Sequence, residues 1–114
     1  MSRVALGLIH CDYSDDPRAD TLAIAAYVEQ RGWRFPRRRP RWPHVSVLLV
    51  LPGDSAYSEF LMAHTHSEAT ALIVPTLAHV TGIEAITRSR TDVYSLDGHN
   101  LPRRPYRELL GLDS

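Results

Sequence analysis

The sequence predicts an α/β domain of three layers, with a mostly parallel four-stranded sheet in the order 2-1-3-4 held between helices. Three observations carry that expectation. Apolar runs of strand length recur at 3–10, 45–51, 70–75 and 92–96. Segments with helical spacing or helix signals follow each of them. The runs are apolar almost throughout rather than alternating, so both faces need cover, as in parallel sheets sandwiched by helices. Right-handed crossovers then leave few topologies.

The elements follow in order. RVALGLIH (3–10) reads as a buried strand closed by a polar cluster. In DYSDDPRAD, Asp16 or Ser14 is a candidate N-cap and Pro17 suits the first helical position. A helix over 18–31 places Ile24, Ala25 and Val28 on one stripe, and Gly32 is a fitting residue just past its end. Prolines at 36, 40 and 43 keep 33–44 out of a helix. VSVLLVL (45–51) is a second strand, stopped by Pro52-Gly53. Asp54 is the expected cap of a helix over 55–66, with Tyr57, Phe60, Leu61 and His64 at helical spacing. A third strand at 70–75, a short helix at 81–89 and a fourth strand at 92–96 complete the alternation. Such an order is flavodoxin-like. It leaves one sheet face covered by the first helix alone, and the tail helix 105–112 is expected to finish that face.

The 114 residues fit one domain, 1–114, with an Arg/Pro-rich loop at 33–44 and a tail at 99–114. A chain of this size buries roughly two-thirds of its unfolded surface, enough for a core without staples. No apolar run approaches the length of about 18 residues needed to span a membrane. The opening MSRVALGLIHCDYSDD has too short an apolar stretch for a signal peptide, so a cytoplasmic location is expected. Cys11 is the single cysteine, which excludes an internal disulfide. All 13 basic residues are arginine. Without lysine, the phosphate contact of a P-loop, Schiff-base chemistry and the lysine switch of receiver domains are all excluded.

The net charge of zero hides a polarity. Residues 31–42, RGWRFPRRRPRW, hold six arginines and no acid, whereas Asp12, Asp15, Asp16 and Asp20 crowd the turn after the first strand. In an open parallel sheet, ligands bind beyond the carboxyl ends of the strands, near the switch between strands 1 and 3. That edge carries His10, Cys11, Asp12, Tyr13 and Ser14 on one strand and Thr76 to His79 on the other. Candidate chemistry there is a Cys11–His thiol nucleophile, a metal site from His10, Cys11 or Asp12 and His79, or a Ser14 nucleophile. No H-x₃₋₅-H or C-x₂-C spacing is present, so no metal or cofactor is expected. His64 and His66 stand two apart on a helix, point to different faces, and read as a solvated helix end. The turn after strand 1 has no glycine, which argues against a dinucleotide cradle. Its aspartates look like those of receiver domains, but PTLAH supplies no acid after strand 3.

One family resemblance emerges from GLIHCDYSDDP, then TLAIAAYVEQRGW, ALIVPTLAHVTG and DVYSLDG. From Gly7 to about Asp97 the chain resembles the N-terminal catalytic domain of serine recombinases (resolvases and invertases). There, strand 1 ends in G-Y-x-R-V-S and a later strand runs L-V-V-x-x-L-D-R-L-G-R. The resemblance implies a resolvase-like fold and an oligomer. It also places the family's first arginine on His10 and its nucleophilic serine on Asp12. Ser14 substitutes only with a two-residue shift, and the later D-R-x-x-R set falls on Ala78, His79 and Gly82. The arginines of that set stabilise charge on the phosphate during strand transfer, and neutral residues forfeit this.

The expected function is therefore a non-catalytic, resolvase-like interaction module, a pseudoenzyme. Its expected partner is a second copy, because the apolar second strand lies at a sheet edge. The first alternative is nucleic-acid binding through Arg31, Trp33, Arg34, Arg37, Arg38, Arg39, Arg41 and Trp42, with Phe35 interleaved, by charge and base stacking. The second is an enzyme using the edge of strands 1 and 3.

Overall fold

A computed structural model of the protein describes residues 3–36 and 47–111. Strand β1 is Ala5–His10, followed by a 3₁₀ turn at Cys11–Tyr13 and helix α1, Pro17–Gln30. Strand β2 is Val47–Val50, α2 is Ala56–Ser67 and β3 is Ala71–Val74. A second 3₁₀ turn at Leu77–Val80 leads to α3, Glu84–Arg90, and β4, Asp92–Ser95. The last elements of the described residues are a short strand β5, Asn100–Leu101, and a single helical turn α4, Tyr106–Leu109.

The sheet runs β2-β1-β3-β4-β5. The first four strands are parallel: Gly7 to His10 of β1 pair with Val47 to Val50, Ala5 to Gly7 with Ala71 to Ile73, and β3 with β4. The fifth strand, which the sequence reading omits, pairs antiparallel with β4 through Val93–Leu101 and Tyr94–Asn100. Its origin is a tight turn at Asp97-Gly98, with Gly98 at φ 102°, a region open to glycine but costly for a residue with a Cβ. The expected four-strand sheet is corrected to five, because this turn folds the chain back before it leaves the sheet.

Central strands β1 and β3 are buried along nearly their whole length, as their unbroken apolar runs require. On one face Ala5, Ile9, Ala71 and Ile73 meet Ile24 and Val28 of α1. On the other, Leu6, Leu8, Val50, Leu72, Val74 and Val93 meet Phe60 and Ala63 of α2 and Ile83 before α3. Gly7 lies directly under α1; a Cβ there would meet Ile24 Cγ2 at 2.9 Å and Val47 Cγ2 at 3.0 Å.

Helix α1 starts as expected, with Pro17 in its first turn and the Asp16 carboxylate accepting the Ala19 N–H at 3.1 Å. Gly32, at φ 71°, follows its end. The cap of α2 is Ser55, not Asp54: Ser55 Oγ accepts the Ser58 N–H. Asp54 instead accepts the Leu51 N–H at 3.0 Å and closes the turn after β2. Helix α3 begins at Glu84, not 81, because Leu77–Val80 forms a separate 3₁₀ turn and Gly82 at φ 84° divides the two. The tail helix is also corrected, in length and in place. It spans Tyr106–Leu109 and packs on α3, not on the face of α1. The β5 hairpin decides this, since the returning chain is tied to the end of α3 by the Arg104 N–H donating to the Arg88 carbonyl.

The amino edge of the sheet is tied by Arg3. Its guanidinium donates to Thr70 Oγ1, the Thr70 carbonyl, Tyr94 Oη and the Asp92 carboxylate. It also lies over the Trp33 ring, 5.0 Å from the centroid.

Candidate functional site

The carboxyl edge of β1 and β3 gathers the sequence-predicted polar residues. The main-chain N–H of His10 donates to His79 Nδ1 at 2.9 Å, so parallel pairing brings these two residues together across 69 positions. His79 is 1% exposed, in the 3₁₀ turn after β3. An accepting Nδ1 puts the ring proton of the neutral imidazole on Nε2. Burial pushes this imidazole below the usual histidine range; nearby Asp20 opposes that push and His10 adds to it. Tyr13, nearly half exposed, sets its ring 5.1 Å from that of His10 and edge-on to His79 at 6.0 Å.

The turn satisfies its own polar groups. His10 Nδ1 accepts the Asp12 N–H at 3.3 Å, and Ser14 Oγ donates to Asp20 Oδ2 at 2.6 Å. A serine nucleophile needs its proton drawn off by an imidazole or equivalent base; the hydroxyl of Ser14 is committed to a carboxylate. A thiol nucleophile is set up by an imidazole or cation at its side; beside Cys11 Sγ stand the Asp12 carboxylate at 4.0 Å, which disfavours a thiolate, and the His10 imidazole within 4.8 Å, whose Nδ1 accepts the Asp12 N–H.

His10, Cys11 and Asp12 bring one donor atom each to within 4.8 Å of one another. That is three of the four ligands zinc prefers. His79 does not join them through Nδ1, which the His10 N–H occupies. An ion on His10 Nδ1 would also compete with the Asp12 N–H.

Charge sets the character of this edge. Asp12, Asp15, Asp16 and Asp20 lie along the turn and first helical turn, with Arg18 as the cation among them.

The aromatic and basic candidates lie at the opposite, amino edge. Trp33 packs on Tyr94 at 5.1 Å and edge-on to Tyr27 at 6.2 Å, and with Phe35 it covers the α1 side of the core. Arg31 lies over the Tyr27 ring at 4.3 Å. Arg34 is exposed, and its backbone bridges to Val4 beside β1. Arg37, Arg38, Arg39, Arg41 and Trp42 lie outside the described residues.

One expectation is overturned away from this edge. His64 is not solvated: it is half-buried, its ring stacks on Phe60 at 5.7 Å, and its Nδ1 is buried with no hydrogen-bond partner among the described residues. α2, α3 and the tail line the space beside it, while His66 is exposed. A cleft of about 880 Å³ opens beside it, lined by Tyr57, Glu68, Arg90, Arg103 and Tyr106 among others. Sequence reasoning missed it because its residues come from three separate elements.

This geometry defines a mixed α/β domain with an acidic, internally bonded carboxyl edge. No family model matches the chain, and neither a curated protein nor a solved structure does. No helix among the described residues is long and apolar enough to cross a membrane.

Proposed function

We infer that this chain is a non-catalytic, resolvase-like interaction module that works as a homodimer. The observation that carries the reading is the charge of the carboxyl edge. Four aspartates face one arginine there, so a phosphodiester would meet repulsion where strand transfer needs cations. His79 and Ser14 are bonded within the fold. The parallel order 2-1-3-4 of the first four strands supports the flavodoxin-like arrangement expected from the strand pattern.

The partner is a second copy docked at β2. This strand ends the sheet among the described residues, and Leu49 and Leu51 beside it are about half exposed. An apolar open edge invites a self-complementary, two-fold contact. Light scattering at micromolar concentration should give the mass of a dimer, and supercoiled plasmid should stay intact. A monomeric mass, or nicking lost on Ser14→Ala, would overturn the reading.

Nucleic-acid binding through 31–44 is the second reading, and the exposure of Arg31 and Arg34 favours it. Its mode is charge rather than stacking by Trp33, which is committed to Tyr27 and Tyr94. Affinity for single-stranded DNA should fall steeply with salt. The triple change Arg37→Ala, Arg38→Ala, Arg39→Ala should abolish it, and no binding at low salt would remove this reading.

A further inference from the structure

The cleft between α2, α3 and the tail is lined by none of the residues named at the carboxyl edge, and neither reading of the function uses it. Its volume, about 880 Å³, is in the range of small-molecule sites. Its charged lining is Arg90 and Arg103 against Glu68, an excess of one positive charge. Arg90, Arg103 and His64 line the same cleft.

Arg103 is held before any ligand arrives. Its main-chain N–H donates to Asp92 Oδ1 at 2.6 Å and its Nε donates to the Ser89 carbonyl at 3.1 Å. Those bonds leave the two terminal amino groups of the guanidinium uncommitted among the hydrogen bonds of the described residues. A planar fork of this kind matches the oxygens of a phosphate or carboxylate. Tyr57 and Tyr106, each about half exposed, line the same cleft and offer ring surface to the body of a ligand.

We propose that this cleft binds a small organic anion, its phosphate or carboxylate seated between Arg90 and Arg103 and its ring or short apolar body against Tyr57 and Tyr106. His64 serves as the internal reporter. Its burial and the nearby Arg90 and Arg103 charges keep the imidazole below the usual histidine range. The other ionisable groups lining the cleft are Tyr57, Glu68 and Tyr106, and the backbone at Ala69 and Arg90 works in the opposite sense, favouring the imidazolium. An anion between the arginines cancels part of their field, so His64 should titrate at higher pH when the site is filled.

The test is proton NMR of the histidine ring resonances, titrated with phenyl phosphate, benzoate, inorganic phosphate and, as the neutral probe, phenol. Phenyl phosphate or benzoate at millimolar concentration should shift the His64 resonances and raise its titration midpoint. The stronger of the two tells phosphate from carboxylate, and inorganic phosphate tests whether the ring body contributes. Arg90→Gln and Arg103→Gln should each weaken binding by about tenfold or more, the scale of one charge-assisted hydrogen bond. Arg104→Gln, whose side chain pairs with Glu108 on the tail, should leave affinity within about twofold. Phenol binding as well as phenyl phosphate, affinity unchanged in the Arg90→Gln, Arg103→Gln double variant, or no response of His64 to any of the anions would overturn the proposal.

Discussion

Gly7→Ala should destabilise the fold, against the usual benefit of replacing a glycine in a strand. The new Cβ would lie 2.9 Å from Ile24 Cγ2, and 3.0 and 3.3 Å from Val47 Cγ2 and Cγ1. Carbon atoms pack best at about 3.5–4.0 Å, so the two closest contacts are too short by about half an ångström or more and the third by a few tenths. Ile24 is fully buried and β-branched, with little rotamer freedom to retreat. Val47 is half-buried on an edge strand and can yield. Overpacking of this kind costs about 1–3 kcal/mol, offset by about 0.5–1 kcal/mol from the backbone entropy that alanine saves. The net loss is about 1–2 kcal/mol, or a fall in Tm of roughly 4–8 °C for a domain of this size. Urea unfolding followed by tryptophan fluorescence reads it, with an unchanged m-value marking a true stability effect. Val47→Ala removes two of the three short contacts, so Gly7→Ala should cost less in that background. A Gly7→Ala protein as stable as the parent would refute the close approach of α1 to β1.

Three further outcomes follow from the same contacts. Burial alone would raise the Asp92 carboxyl, but the Arg103 N–H and the Arg3 guanidinium outweigh it and hold the group below the usual carboxylate range. A carboxyl lowered on folding adds stability above its unfolded pKa of about 4, lost as pH falls through the folded value; Asp92→Asn should therefore cost about 1–2 kcal/mol at neutral pH and flatten the acid limb of a urea-midpoint profile. His79 and His64 are likewise lowered, so their contribution is complete above about pH 6.5 and declines as pH drops below it. His79→Asn keeps an acceptor for the His10 N–H and should reduce that decline, and an unchanged slope would refute the burial argument. Leu49→Glu at the open edge should convert the proposed dimer to a folded monomer, visible by light scattering with circular dichroism unchanged.

Parts of this architecture were legible because they rest on local chemistry. β1 and β3 announce themselves by unbroken apolar runs, which only a strand covered on both faces accommodates. α1 was legible in its cap, its first-turn proline and the glycine past its end. The meeting of His10 with His79 followed from placing two parallel strands side by side. A signal for β5 was also present, in Asp97-Gly98, the strongest short-range hairpin pair. The strand it makes is only two residues long, too short for any periodicity to register.

Composition and spacing alone determined the α/β class of the fold. Tertiary structure decided where the tail goes, how Trp33 is spent and what surrounds His64. The reason is physical. Strand and helix formation answer to residues within a few positions, whereas the Arg104–Arg88 tie, the Arg3–Trp33–Tyr94 cluster and the cleft of Arg90 and Arg103 join residues far apart in the chain. Nothing in either partner's local sequence encodes such a contact; it exists only once β4 and β5 have turned the chain back along α3.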